Sequence, residues 1–468
     1  MAEPASLSDV LHIVLNKHPN LALARIQEQS LEIEQQNIEG ILDPRFSVAA
    51  SVSDETTPVS SPFAASGSNI GLLTGNISKT LGDGSTMAAN FAYSRSKLSY
   101  PANVPITFQP SINPTYQQQI NLIYRYPLLR GHGNPSFNEQ LSNNEYNVVA
   151  ARWNTMIQQE QLIAQSISLY YQIASNIIAK KLAQEAVQRA RKLLAYQKKR
   201  QVFGLIEASD RYQAEALLAA RQVEYNNAKA TLRHSVTSLN RLMLRDSNDP
   251  IQTHTTPSKD HFVLHSMQEW LKLAKQQRPI FHMLAAQQAA NDGMLNIAHD
   301  QHDMQLDVIG EVGSRALSAS YRHALGQGFT LNDRFVSIGF ELKDTMNKRS
   351  SKAAILQAEL GHERIRLQRV QALENIETEL SSALTLYQNG KMMKKTTQLR
   401  QQAERIKFNA EIARYREGRS DTATLIQFEG DLRNAELQAA LQDIQIQLAE
   451  KQIELATGSM LSSLGITP

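Results

Sequence analysis

The stretch from Ser136 to Asp249 contains no proline, and Gly204 is its single glycine. It is rich in Ala, Gln, Glu, Leu and Arg, which favour helix. One glycine inside such a run, with Ser209 and Asp210 just after it as N-cap candidates, reads as two antiparallel helices joined at a tight tip. The first helix, from Ser136 to about Arg200, would span on the order of 100 Å. No ordinary globular domain encloses a helix of that length. Such helices pack side by side and leave a polar face to water.

The same punctuation returns at Ala413-Arg414-Tyr415-Arg416-Glu417-Gly418-Arg419-Ser420-Asp421, which points to an internal repeat. Leu7 to about Leu42 reads as helix, with Ser8 or Asp9 as cap and a break at His18-Pro19. Met267 to His299 reads the same way, and Arg278-Pro279 echoes His18-Pro19 at a spacing of 260. A second long helix runs from Ser350 to Tyr415, and its return runs from Asp421 to about Ala456. Gly204 and Gly418 are 214 apart, so the first half carries an extra segment of about 46 residues, the difference between the two spacings. The expected organisation is a first repeat over 1–249, a linker over 250–260, a second repeat over 261–457 and a loose tail over 458–468.

Strand periods lie between the helices. Phe46 to Ser53 alternates apolar with small or polar residues, as do Met87 to Ser94 and Tyr116 to Tyr126, with Gly82-Asp83-Gly84-Ser85 as a hairpin turn. Leu306, Val308, Gly310 and Val312 alternate in the second half, as do Val336, Ile338, Phe340 and Leu342. The strands therefore fall at about 45–126 and 304–342. The segment from Ser53 to Gln117 supplies either two added strands, giving six per chain instead of four, or a long loop with a hairpin.

One chain offers too few strands to close a wide barrel, so a membrane barrel would need several copies. Aromatics concentrate here, and Phe91, Tyr93, Tyr124, Tyr126 and Phe340 at strand ends suit a membrane interface. The fold class read from these patterns is mainly α with membrane β, in an internally duplicated chain. The alternative is a non-membrane coiled-coil scaffold or adaptor with a β-domain.

Composition narrows the function. The formal net charge is +3 and cysteine is absent, so nothing points to nucleic acid, disulfides, thiolate metal sites or lipid attachment through cysteine. Mean hydropathy is −0.37, and no apolar run reaches the ~20 residues of a membrane helix. Met1-Ala2-Glu3-Pro4 has no basic and apolar leader, which reads either as a cytoplasmic protein or as a mature chain with an added start Met, and the strand pattern favours the second. His299 with His302, and His261 with His265, have helical metal-ligand spacing, but they read better as polar side chains facing water. Gly131-His132-Gly133 is too short for a phosphate loop. No nucleophile–base pair appears, so the chain reads as a non-enzyme with no cofactor and no metal.

Three stretches carry a family resemblance. Phe203-Gly204-Leu205-Ile206-Glu207-Ala208-Ser209-Asp210 followed by Ala214 is similar to the first helical tip of the TolC-type outer membrane efflux proteins, with Phe203 in place of the usual Val. Tyr415-Arg416-Glu417-Gly418 followed by Leu425, Leu432, Asn434 and Ala435 is similar to the second tip. Pro127-Leu128-Leu129-Arg130-Gly131 resembles the family's step from strand to helix.

The resemblance covers nearly the whole chain. It implies a homotrimer whose β-barrel crosses the outer membrane among lipid and is continued into the periplasm by a long α-helical barrel. The tips, at Phe203, Gly204, Leu205, Glu417, Gly418 and Arg419, would meet a periplasmic adaptor and, through it or directly, an inner-membrane transporter. The channel would be passive and would serve efflux or type I secretion. The family's closing contacts fall on Asp210 and Tyr415. Its Arg partner falls on Ser420, one residue from Arg419. Its acidic ring would fall on Thr424 and Gln427, so that ring is absent, while Asp421 and Glu429 lie nearby on a different helix phase. Gate candidates are therefore Asp210, Tyr415, Arg419 and Asp421.

Overall fold

The computed structural model describes residues 4–59, 61, 63–204, 207–253, 262–330 and 333–460. In chain order the elements are β1 (Pro4–Ala5), α1 (Leu7–Lys17), α2 (Pro19–Glu39), β2 (Arg45–Thr56), β3 (Gly67–Thr80), β4 (Thr86–Ser99), β5 (Thr115–Pro127), α3 (Pro135–Val202) and α4 (Ala208–Leu242). There follow β6 (Gln252–Thr253), α5 (Met267–Gln277), α6 (Pro279–His302), β7 (Gln305–Ser318), α7 (Tyr321–Gly328), β8 (Arg334–Lys343), α8 (Arg349–Arg416) and α9 (Thr422–Ala456). The two long helices are both 68 residues, and the helices that return from them are both 35.

Local chemistry explains the helix ends. Ser6, not Ser8 or Asp9, is the N-cap of α1: its side chain accepts from the Asp9 N–H, and Asp9 bonds back to the Ser6 N–H. Ser266 and Glu269 repeat that box at α5. His18 and Arg278 take extended conformations before their prolines, so each helix pair breaks there. Neither Ser209 nor Asp210 caps α4. The cap is Glu207, without a side-chain bond, and both residues lie in the first turn. Two features had no strong sequence period: α7, and the parallel pair of β1 with β6, which places Gln252–Thr253 of the expected linker in a short sheet.

The chain divides into two compact units: Met1–Glu28, Ala150–Ala285 and Leu367–Pro468 form one, and Gln29–Val149 with Ala286–Arg366 form the other. The first is helical. One of its cores gathers Val10, Val14, Ile163, Tyr170 and Leu239, and a second gathers Trp270, Phe281, Ile376, Tyr387 and Ile453. Phe408, Tyr415, Leu425 and Leu432 form a third cluster. Next to the second core, Arg278 donates to the Leu455 carbonyl at 3.0 Å and lies 3.5 Å from Glu160. Burial raises the Glu160 carboxyl to about 7, against the pull of Arg278 and with the push of Glu379.

The second unit holds a six-stranded antiparallel sheet in the order β2-β3-β4-β5-β7-β8. β3 and β4 are thus strands, joined by the turn after Leu81, where the Leu81 N–H donates to the Ser85 carbonyl. Opposite residues share a face, so the register sorts the side chains. One face carries Phe46, Val48, Leu73, Ile77, Phe91, Leu122, Val312, Val336 and Ile338.

The other face carries Asn76, Asn90 and Asn121 in one register row, and Asn121 donates to Glu311. Farther along that face, Arg125 pairs with Asp307 at 2.7 Å and with Glu341. Phe91, Tyr93, Tyr124, Tyr126 and Phe340 all stand on the apolar face. Phe91 and Tyr93, however, sit in the middle of β4, Phe91 opposite Gly75 and Ile120 and Tyr93 opposite Leu73 and Gln118, not at a strand end. Tyr93 packs with Tyr116 and with Tyr321 of α7. There the run of apolar residues on β5 ends in Gln118, whose amide donates to the Ala324 and Leu325 carbonyls of α7.

Candidate functional site at the helix tips

Each tip is built on a glycine that only backbone geometry requires. Gly204 and Gly418 have φ of 70° and 72°, and a Cβ on either would meet open space. The left-handed conformation, not crowding, selects glycine. At the second tip the Gly418 N–H donates to the Tyr415 carbonyl and the Arg419 N–H to the Arg414 carbonyl, which closes a Schellman turn. At the first, the Gly204 N–H donates to the Gln201 carbonyl. Leu205 and Ile206 lie outside the described residues. Phe203 is 76% exposed at the end of α3, and Glu417 and Arg419 are exposed at the end of α8.

Above the tips, four helices meet in one hydrogen-bond chain. Gln197 of α3 is fully buried, Thr422 of α9 is 2% exposed, and Tyr415 of α8 is 3% exposed. The Gln197 amide donates to Thr422 Oγ1 at 2.7 Å and to the Tyr415 hydroxyl. The Tyr415 and Thr422 hydroxyls are 3.0 Å apart. Thr422 donates its one proton to Asp210 Oδ1 of α4 at 2.8 Å. The order of donors follows: Gln197 gives both amide hydrogens, Tyr415 gives to Thr422, and Thr422 gives to the carboxylate. Burial pushes the Tyr415 hydroxyl pKa up, which keeps it a donor.

Asp210 and Tyr415 therefore belong to one constellation, joined through Thr422 and Gln197. The other two gate candidates take different roles. The ion pair of Arg419 is with Glu417, on the exposed tip. Asp421 is the N-cap of α9, accepting from the Thr424 N–H at 2.7 Å and from its hydroxyl at 2.9 Å. Ser420, where the resemblance would place an arginine, donates to the buried Glu411. Thr424 is tied up in the cap, and Gln427 is exposed.

A second constellation was missed in the sequence, where interleaved charges read as solvated faces. Glu429 is 3% exposed and holds two arginines: Arg221 of α4 at 2.6 Å and Arg189 of α3 at 3.1 Å. Arg221 also pairs with Glu224, which pairs with Arg433 at 2.6 Å. Glu436, 5% exposed, accepts from Arg405 of α8 at 2.9 Å. Desolvation works against the Arg221 cation, but the Glu429 and Glu224 charges outweigh it, and its pKa stands above the ordinary value. The available signal was periodic. Leu425, Glu429, Leu432, Glu436 and Ala439 fall on one helical stripe, and all five are buried.

No metal site forms among the described residues. His299 and His302 both lie in the last turn of α6, and His302 Nδ1 is 3.0 Å from Ser351 Oγ. His261 lies outside the described residues.

Comparison with known proteins identifies this geometry. No protein-family model matches the sequence, and no curated protein matches it. Solved structures do match. The Campylobacter jejuni CmeC outer membrane channel aligns over 97% of this chain and 85% of its own, with a TM-score of 0.69 at 15% identity. The Vibrio cholerae outer membrane protein VceC aligns over 98% and 96%, with a TM-score of 0.65 at 15% identity. The fold is that of the TolC-type outer membrane channels. A Pseudomonas aeruginosa membrane protein has it too, over 98% of this chain and 91% of its own, with a TM-score of 0.70 at 14% identity. In the TolC-type fold the sheet forms a β-barrel and the long helices continue it as an α-helical barrel. Among the described residues no helix is long and apolar enough to cross a membrane.

Proposed function

We propose that this chain is one third of a passive outer membrane channel that serves as the exit duct of a tripartite efflux pump or a type I secretion system. The observation that carries the reading is the sheet. One face carries an apolar band on all six strands, the opposite face carries an asparagine row and paired charges, and β2 and β8 are left as its two edges. An open sheet cannot sit in lipid, because its edge N–H and C=O groups would be unsatisfied. Closure by copies of the same chain, β8 against the next β2, removes both edges. In this reading the helices form the periplasmic tube. The tips, with Phe203, Glu417, Gly418 and Arg419 exposed, meet the periplasmic adaptor and, directly or through it, the inner-membrane transporter that supplies the energy.

The buried chain from Gln197 through Tyr415 and Thr422 to Asp210 holds each protomer's two tips together and forms the closed-state latch. Phe91, Tyr93, Tyr124, Tyr126 and Phe340 face lipid, with Tyr93, Tyr124, Tyr126 and Phe340 toward the band's margins. Expression in a Gram-negative host, followed by membrane fractionation and mass measurement in detergent, tests the reading. The expected result is outer membrane localisation and a mass three times the 52.3 kDa of one chain. A monodisperse monomer that needs no detergent would contradict it.

A further inference from the structure

We propose that the β3–β4 hairpin is part of the membrane wall, so that three copies close a barrel of eighteen strands instead of twelve, a wide polar outlet for large hydrated solutes. This rests on the trimeric channel reading. Twelve strands is the count that four per chain would give, with β3 and β4 folded outside the wall.

Two observations place the hairpin in the wall. First, both of its faces continue those of its neighbours. Leu73, Ile77 and Phe91 extend the apolar face, while Asn76 and Asn90 lead directly to Asn121 on the polar face. A water-exposed hairpin has no reason to keep an apolar face in step with the membrane strands.

Second, the apolar band runs obliquely to the register, as it must in a tilted barrel. On β2 the four apolar positions run from Phe46 to Val52, and Phe46 is at the end nearer the helices. On β8 they run from Val336 to Leu342, and Val336 is at the end farther from them. Yet one register row joins Phe46 through Ile77, Ala89, Leu122 and Val312 to Val336. The band thus shifts by about six residues, roughly 20 Å, over five strand steps of ~4.8 Å, a slope of about 40°. Membrane barrel strands tilt by roughly 35–45°. The drift passes through β3 and β4, so they occupy places in one tilted wall.

Size follows from strand number. At that tilt eighteen strands give a backbone diameter of about 36 Å, and twelve give about 24 Å. Barrels of about 16–18 strands leave an aqueous channel. Here it would be lined by Asn76, Asn90, Asn121 and Arg125 from each copy, hydrogen-bonding groups that suit polar solutes.

The chain has no cysteine, so single cysteines report directly. Asn76→Cys, Asn90→Cys, Ile77→Cys and Phe91→Cys are each reconstituted as trimers in lipid nanodiscs and exposed to a membrane-impermeant maleimide. The expected result is labelling at least ten-fold faster at positions 76 and 90 than at 77 and 91. Equally fast labelling at all four in an intact trimer would put the hairpin in water and overturn the eighteen-strand wall while leaving the channel reading in place. Recovery of monomers alone would overturn the channel reading and this inference with it. A density map of the unsubstituted trimer gives a readout free of folding effects: eighteen strands support the proposal, and twelve refute it.

Discussion

Thr422 Oγ1 lies 2.8 Å from Asp210 Oδ1, and that contact joins the first turns of the two return helices, α9 and α4. Thr422 is also the acceptor for Gln197 and the partner of Tyr415. One hydroxyl therefore couples all four helices that meet at the tips. Its position inside the chain, beneath two buried neighbours, separates it from the exposed charges around it.

Replacing that hydroxyl by a methyl group is the sharpest probe. Thr422→Val leaves Gln197 and Asp210 without their buried partner and is expected to destabilise by about 1–3 kcal/mol. Thermal denaturation in detergent measures this. Arg419→Ala is expected to cost little, because exposed ion pairs such as Arg419–Glu417 contribute only about 0–1 kcal/mol.

The charge cluster above the latch predicts an asymmetry. Glu429→Ala strands Arg221 and Arg189 without their common partner, and breaking a buried pair in this way costs about 3–5 kcal/mol. Glu429→Gln keeps a hydrogen-bond acceptor and should cost less. A melting-temperature series of the two variants checks the order.

The tip glycines should respond alike. Gly204→Ala and Gly418→Ala each place a Cβ in the left-handed region, at a cost of about 1–2 kcal/mol, although there is room for the atom itself. Gly418→Asn should cost less, since asparagine tolerates that conformation. Chemical denaturation resolves the difference.

Stability should also depend on pH through Glu160. Its folded pKa, about 7, lies above the ordinary value of 4.5. Between those values the folded chain keeps a proton that the unfolded chain releases. The contribution of Glu160 to stability is therefore fully present below pH 4.5, is lost as pH rises to about 7, and is absent above. The full change is about 3 kcal/mol. Glu160→Gln should flatten that part of the stability profile.

Much of the fold is legible in the sequence because long helices and alternating strands are strongly periodic. The uninterrupted run around Gly204, the X-Pro breaks at His18 and Arg278, and the strand at Phe46 all follow from local rules. What escaped depends on tertiary contact. Glu429 and Arg221 look like surface charges until their helices are packed together. Asp421 reads from the sequence as a carboxylate beside the tip, and only the folded chain shows it capping α9. The Ser53–Gln117 segment holds strands and loops in alternation, and its two added strands become distinct only when their register with β2 and β5 is known. Helix α7 is short, and its contacts with Gln118 and Tyr93 are long-range.

Planar bilayer recording of the purified trimer shows whether these tips close a channel. Discrete conductance steps are expected, small for the unsubstituted chain and larger for Thr422→Val, because the latch is loosened. Inserted trimers of both proteins with no conductance, or steps identical in the two, would contradict a channel held shut at these tips.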